Sequence, residues 1–285
     1  MTRTRATAIG FTAVMMWALL ALLTIGSSPV PPLLLNTICF AIGGVIGLVW
    51  TARKGFGLLK TVSWKVYAFG TIGLFGYHLL YFTAFRVSPT AETGLIAYLW
   101  PLFIVLFSGL LPGEKLLPQH LTGAAIAFAG AALIIFARTE SGAFNATGMA
   151  LAFGCALTWS AYSVLSRRLG DVPTESVTVF CLLTALLSGL AHLALEETLW
   201  PVGPSGWLSV LLLGLGPVGA AFFTWDIGMK KGDIQLLGVA SYAAPLLSTL
   251  ALVVAGITQP GWTIALAALL ITGGAALAAR KSARG

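Results

Sequence analysis

The sequence of 285 residues contains very little charge, and this scarcity decides its broad class. Only 9% of the residues are Asp, Glu, Lys or Arg. A soluble domain carries about 25%, because its surface must face water. The sequence also lacks any connection between apolar stretches that is long enough to form a soluble domain. A nucleic-acid-binding protein, a secreted protein and a dinucleotide-binding enzyme are therefore excluded.

Reactive and metal-binding side chains are scarce as well. Cys39, Cys155 and Cys181 lie within apolar stretches and share no close spacing, so we interpret them as buried apolar side chains. The sequence contains no HExxH, GxSxG or P-loop motif, which argues against an enzyme that works within the membrane. We expect no metal ion and no cofactor.

Long apolar stretches dominate the chain, which has a mean hydropathy of +0.94. A helix needs about 20 mostly apolar residues to cross a bilayer. Ten windows meet this requirement, near residues 6–26, 33–52, 66–85, 93–111, 121–137, 148–165, 177–195, 208–227, 236–255 and 262–279. The pattern predicts an all-α integral membrane protein with ten transmembrane helices.

The basic residues predict the orientation of these helices. If the N-terminus is cytoplasmic, 14 of the 16 Lys and Arg residues fall on the cytoplasmic side, and only Arg86 and Arg138 fall outside. Because positively charged connections stay in the cytoplasm, both termini are predicted to be cytoplasmic. Successive connections then alternate between a basic cytoplasmic side and an outer side with few basic residues, and an odd number of helices would break this alternation.

The second half of the sequence repeats the first. An offset of 144 residues places Tyr98 on Tyr242 and Pro101 on Pro245, and an offset of 142 places Trp17 on Trp159. We predict two repeats, residues 1–140 and 141–285, with five helices each. Because five is odd, the second repeat enters the membrane from the opposite side. Inverted repeats are typical of secondary transporters, whose substrate site lies near the midplane between the repeats.

Several motifs sharpen this interpretation. Prolines recur in the middle of the fourth and ninth predicted helices. The segments 76–82 (GYHLLYF) and 92–102 (ETGLIAYLWPL) lie in the third and fourth helices. In these features the chain resembles the EamA-type permeases of the drug/metabolite transporter superfamily, and within it the branch of aromatic amino-acid exporters. The resemblance covers essentially the whole chain. It implies a bacterial inner-membrane exporter with a central cavity lined by aromatic side chains.

Carboxylates are missing from the predicted membrane interior. Asp226 comes nearest to it, one turn before Lys230, which favours a local ion pair or exposure at the interface over a proton site. The predicted interior also has no cluster of Lys or Arg for a phosphate group. These absences argue against obligatory proton coupling and against phosphorylated substrates.

Polar aromatic side chains within the predicted helices are the candidates for binding substrate, because their N–H and O–H groups favour protein or a wet cavity over lipid. They are Trp17, Tyr77, His78, Tyr81, Tyr98, Trp100, Trp159, Tyr162, Trp225 and Tyr242. Core packing competes with this interpretation for each tryptophan. For His78 the alternative is a neutral imidazole hydrogen-bonded to a neighbouring helix. We also expect Tyr81 with Tyr98, and Trp225 with Tyr242, to line opposite mouths of the pathway.

Prolines within the predicted helices are the candidates for hinges. Pro101 and Pro245 each free the carbonyl four residues earlier, at Ala97 and Ser241, while Pro217 lies in a glycine-rich stretch. A tolerated kink is the alternative. In the fifth and tenth helices, small residues such as Gly123, Gly130, Gly273 and Gly274 are expected to allow close packing.

Together these features predict a secondary transporter that exports aromatic and other apolar amino acids by alternating access. Its partners are the small-molecule substrate and the lipid bilayer, with no nucleic acid, and its oligomeric state stays open. Broad-specificity efflux of amphipathic drugs or metabolites is one alternative. An intramembrane enzyme is an alternative of another class.

Overall fold

A computed structural model describes residues 1–138, 145–169, 171–257, 259 and 261–280. All regular structure in these ranges is helical. We label ten helical segments: α1 Arg3–Gly26, α2 Pro32–Lys54, α3 Trp64–Val87, α4 Glu92–Ser108, α5 Pro118–Ala137, α6 Ala146–Arg168, α7 Thr174–Leu195, α8 Gly203–Lys231, α9 Ile234–Val254 and α10 Trp262–Ala278.

Each predicted window overlaps one of these segments. Within the described ranges, eight segments are long and apolar enough to cross a membrane, whereas α4 and α10 are shorter apolar helices. The multi-helix membrane protein is therefore confirmed, and the count of ten crossings stays a prediction.

Two pairs of interruptions recur at matched positions in the two halves. In α4 the helix stops after Ala97 and restarts at Trp100, and in α9 it stops after Ala240 and restarts at Ala243. In α3 and α8 one turn widens into a π-helix, at Ile72–Gly76 and at Gly216–Ala220. Adding 144 to each end of the first π-helix gives the second. Such π-helical turns are frequent at functional sites.

The packing of the segments follows the same internal symmetry. α1 packs along α8, and α6, which is the counterpart of α1, packs along α3. α2 pairs with α7, α4 with α9, and α5 with α10, so each of these helices contacts its own counterpart. Every one of these pairings joins the two halves, which places the centre of the bundle between them.

Glycines allow the closest helix contacts, as predicted for α5 and α10. A Cβ atom added to Gly123 would lie 2.5 Å from the carbonyl oxygen of Gly274, and one added to Gly130 would lie 3.0 Å from that of Ala267. Gly273 contradicts the prediction, because open space surrounds the position of its Cβ atom. It lies beside Gly274 in sequence but faces away from α5.

Candidate functional site

Four tryptophans from four different segments meet at the centre of the bundle. They are Trp17 of α1, Trp100 of α4, Trp159 of α6 and Trp225 of α8. The ring centroids of all six pairs lie between 5.1 and 6.3 Å apart. We call this group the tryptophan tetrad. Edge-to-face and tilted contacts predominate, which are favourable geometries for aromatic pairs.

The indole N–H groups of the tetrad fall into two classes. Trp17 Nε1 donates to the Pro217 carbonyl at 3.0 Å, and Trp225 Nε1 donates to Ser163 Oγ at 3.0 Å. Neither Trp100 nor Trp159 donates its indole N–H to any residue that the structure describes. Their nitrogens are not among the fully buried unpartnered atoms of that part of the chain, so both keep accessible surface. The tetrad therefore offers two donors to a ligand.

Aromatic residues of α3 extend the tetrad on one side. The Tyr77 ring lies 5.2 Å from that of Trp159 and 5.9 Å from that of Tyr81. Tyr98 joins from α4, with its ring 6.5 Å from Trp100. Behind Trp159, the buried ring of Tyr162 lies 5.4 Å away and covers Gly73 of the first π-helix.

His78 lies next to Tyr77 and faces the interior. Its ring centroid is 5.1 Å from Phe40 and 6.1 Å from Phe222, which are 0% and 4% exposed. Its Nδ1 lies 2.7 Å from the carbonyl oxygen of Leu74, in the π-helix of its own segment. The alternative of a bond to a neighbouring helix is not observed, because the Nδ1 partner is the carbonyl one turn earlier in α3.

Accessibility differs between the two sides of the tetrad. We call the two ends of the bundle the Arg3 end and the Arg86 end, after a charged residue at each. Toward the Arg86 end, Tyr77, Tyr81 and Tyr98 are only half-buried. Toward the Arg3 end the side chains are closed off, with exposed fractions of 0 or 1%; they are Trp225, Met229, Ile234 and Leu237.

Tyr242 does not reach the tetrad. It is fully buried in a separate apolar cluster of α4, α5, α9 and α10, with its ring 5.8 Å from Phe128. Its hydroxyl accepts a hydrogen bond of 3.1 Å from the Leu102 N–H group. This N–H lies in the first turn of the restarted α4 helix, where backbone donors lack helical partners. The Tyr242 hydroxyl thus provides a hydrogen-bond acceptor for a backbone N–H group that the break in α4 deprives of its helical partner.

The candidate hinge residues lie at the helix breaks. Ala97 ends the first part of α4 and Pro101 follows at the start of the second, while Pro217 lies in the second π-helix. Pro245 lies in the first turn of the restarted α9 helix. The Ser241 carbonyl, which Pro245 was expected to leave without a hydrogen bond, accepts one of 3.1 Å from the Ala244 N–H group. A tighter turn at the break supplies this donor.

Asp226 forms the local ion pair that its spacing from Lys230 predicts. Its Oδ2 lies 2.9 Å from Lys230 Nζ, and both side chains are 2% exposed. Thr174 donates a further hydrogen bond to the same oxygen at 2.7 Å. Exposure at the interface is therefore excluded for Asp226.

A partly buried ion-pair cluster lies at the Arg3 end, and sequence analysis missed it. Arg167 forms an ion pair with Glu114 and donates to the carbonyls of Met229 and Gly232 at 2.9 and 2.8 Å. Arg3 adds contacts of 3.3 Å to Glu114 and Asp233. We call Arg3, Glu114, Arg167 and Asp233 the Arg167 cluster. The sequence assigns Arg3 and Arg167 to membrane topology and places Glu114 and Asp233 in loops or at helix ends, and no local spacing links the four residues.

Another buried carboxylate organises the Arg86 end. Glu196, whose side chain is 2% exposed, accepts hydrogen bonds from the N–H groups of Leu33 and Leu34 at the start of α2. It also pairs with Arg86 and with His192, whose Nδ1 lies 3.0 Å away. A carboxylate at a helix N-terminus is electrostatically favourable. This group joins α2, α3 and α7.

Two apolar grooves lie away from the tetrad. One, of about 370 Å³, is lined by α2 and α8 around Ile38 and Trp207. The other, of about 260 Å³, is lined by α4 and α6 around Phe107 and Leu165. Both open onto the side of the bundle and are lined mainly by carbon, as expected of a surface that faces lipid.

Apolar helices in two matched halves, with aromatic side chains converging between them, define the protein as a multi-pass membrane transporter rather than an enzyme. The chain belongs to the EamA-like transporter family, whose model matches residues 4–136 and again residues 146–280. The repeated match falls on the two halves that the internal offset separates.

Similar proteins agree with this assignment. The aromatic amino acid exporter YddG of Ancylobacter novellus is 53% identical over 282 residues, which cover 98% of both chains. Proteins of the same name from Escherichia coli and Salmonella typhimurium are 24% identical, covering 100% and 87% of this chain and 100% and 88% of their own. A crystal structure of a protein with 51% identity matches 98% of both chains with a TM-score of 0.92.

Proposed function

We propose that the protein exports aromatic and other apolar amino acids across the bacterial inner membrane by alternating access. The tryptophan tetrad carries this proposal. It gathers one indole from each of four segments at the interface of the two halves, where inverted-repeat transporters hold their substrate. The relatives of this chain that are named aromatic amino acid exporters support aromatic amino acids as the substrate class.

The orientation follows from charge. We place the Arg3 end in the cytoplasm, because 14 of the 16 basic residues then lie on that side. With ten crossings, residues 1–140 and 141–285 form inverted repeats. The half-buried tyrosines then face the outside, and the Arg167 cluster seals the inside. This asymmetry suits an outward-open state.

Transport without obligatory proton coupling completes the proposal. Asp226 is the carboxylate closest in sequence to the tetrad, and its charge is balanced by Lys230. A carboxylate that binds and releases a proton in each transport cycle would have to break an ion pair of this kind each time. The aromatic lining instead suits a zwitterion with an apolar side chain, which brings no net charge into the membrane.

Counterflow into proteoliposomes tests this function. Vesicles loaded with unlabelled phenylalanine, with equal pH on both sides, should accumulate labelled phenylalanine and tryptophan but not labelled aspartate or lysine. Protein-free liposomes are the control. Flux that appears only under an imposed proton gradient would contradict uncoupled transport. Flux of amphipathic cations without flux of amino acids would favour drug efflux instead.

A further inference from the structure

The hydrogen bond at Nδ1 of His78 fixes the chemistry of the opposite edge of the ring. A carbonyl oxygen can only accept, so at 2.7 Å from the Leu74 carbonyl the Nδ1 atom carries the hydrogen. In the neutral imidazole Nε2 is then a bare acceptor. Because its partner is backbone of the same segment, the ring is held in this orientation.

Nε2 has no protein partner in the described residues. The hydrogen bond of His78 is made by Nδ1, and the ring neighbours Phe40, Tyr77 and Phe222 present aromatic carbon. Nε2 is also not among the fully buried unpartnered atoms of these residues. The acceptor therefore keeps accessible surface in a setting where the nearest rings are apolar.

Two aromatic rings connect His78 with Trp159, which carries one of the two unpartnered indole donors. The Tyr77 ring lies between the two residues, at 5.0 Å from His78 and 5.2 Å from Trp159. Phe222 makes a second bridge, at 6.1 Å from His78 and 5.8 Å from Trp159. An amino acid carries a cationic donor and an anionic acceptor on neighbouring atoms, and the site presents the complementary pair.

We propose that Nε2 of His78 accepts a hydrogen bond from the substrate ammonium group and thereby selects amino acids over carboxylic acids that lack it. The indole N–H groups of Trp159 and Trp100 face the carboxylate. This inference rests on the proposed function and assigns the polarity of the same site. A hydrogen bond to a charged group inside a protein is among the stronger ones, because water competes less well there.

The test compares one ligand pair across matched variants. Dissociation constants for L-phenylalanine and 3-phenylpropionate, which lacks the ammonium group, are measured by calorimetry on the same detergent-solubilised protein. His78→Phe keeps an aromatic ring against Phe40 and removes the acceptor. His120→Phe is the control, because His120 accepts its hydrogen bond from Leu117 N–H at the Arg3 end, outside the aromatic centre.

We expect the wild-type protein to prefer phenylalanine, and His78→Phe to weaken phenylalanine binding about tenfold while changing phenylpropionate binding less than about twofold. The control should keep the wild-type ratio. Because both ligands are measured on one sample, loss of folded protein does not alter the ratio. Equal weakening of both ligands would overturn the proposal in favour of packing. Unchanged affinity for both ligands would overturn it in favour of the ammonium group lying over aromatic rings.

Counterflow separates this inference from the function on which it rests. The wild-type protein could catalyse phenylalanine counterflow while His78→Phe keeps the wild-type ratio of the two dissociation constants. That result would contradict the role of His78 but not the proposed function. Absence of both counterflow and phenylalanine binding in the wild-type protein would contradict the proposed function, and the role of His78 with it.

Discussion

Replacing Trp159 with leucine should weaken the binding of aromatic amino acids about thirtyfold. Its ring contacts the three other members of the tetrad and also Tyr77, so it joins the tetrad to the half-buried side of the site. Losing an indole face and its free N–H group costs about 2 kcal/mol of binding free energy, which corresponds to that factor. Dissociation constants for tryptophan and phenylalanine, measured by calorimetry, give the result.

Trp207→Leu is the matched control for this substitution. Trp207 is 48% exposed and stacks on Trp200 at the side of the bundle, so the same change leaves the tetrad intact. Both variants should lose some thermal stability, because each loses a ring contact. Only Trp159→Leu should lose the stabilisation that added substrate confers. Equal substrate affinity in the two variants would return the tetrad to a packing role.

Replacing Arg167 with glutamine should open the Arg3 end. The substitution removes the ion pair with Glu114, whose side chain is 7% exposed, and the bonds to two carbonyls at the end of α8. Breaking such a partly buried pair costs about 1 to 3 kcal/mol after allowance for screening, since Arg167 is 19% exposed. In the proposed cycle these contacts break when the Arg3 end opens, so the open state should gain at least about fivefold in population.

Cysteine labelling measures this shift. In a background without Cys39, Cys155 and Cys181, a cysteine at Met229 should react at least about fivefold faster with a cytoplasmic thiol reagent when Arg167→Gln is present. Arg168→Gln is the control, because among the described residues Arg168 donates only a long hydrogen bond of 3.3 Å, to the Leu110 carbonyl. Equal labelling in both variants would show that the Arg167 cluster supports the fold without holding the gate.

Much of the architecture could be predicted from local pattern. Each apolar window corresponds to a helical segment, since the length of a membrane-spanning helix is set by the bilayer. The Asp226–Lys230 pair was equally predictable, because residues four apart share one face of a helix. The internal offset indicated two halves, and the family model matches each of them.

The convergence of the site could not be predicted in the same way. Trp100 lies eighty-three positions after Trp17, and no periodicity shows that their rings lie 6.1 Å apart. Tyr242 carries the same aromatic signal but lies in another cluster, where its hydroxyl bonds to Leu102. Depth in the membrane follows from sequence, whereas the direction of a side chain depends on how the helices are rotated and packed.

Charge at the ends of the bundle was misjudged for a related reason. Arg167 and Glu114 lie outside the apolar windows of the sequence, and the positive-inside rule explains the arginine without a partner. The structure brings them together across 53 positions of chain. The π-helical turns were missed as well, although the shared position of Gly70 and Gly214 just before them is a signal in the repeat.

Alternating access around the tetrad is tested most directly at Phe85 and Met229, which the offset of 144 relates. Phe85 is half-buried beside Tyr81 toward the Arg86 end, whereas Met229 is fully buried toward the Arg3 end. In vesicles of known orientation, Phe85→Cys should be labelled by a reagent on the periplasmic side and Met229→Cys by one on the cytoplasmic side. Phenylalanine should change both labelling rates. Labelling of both cysteines from one side, or of neither while transport stays intact, would contradict a pathway that opens alternately around the tetrad.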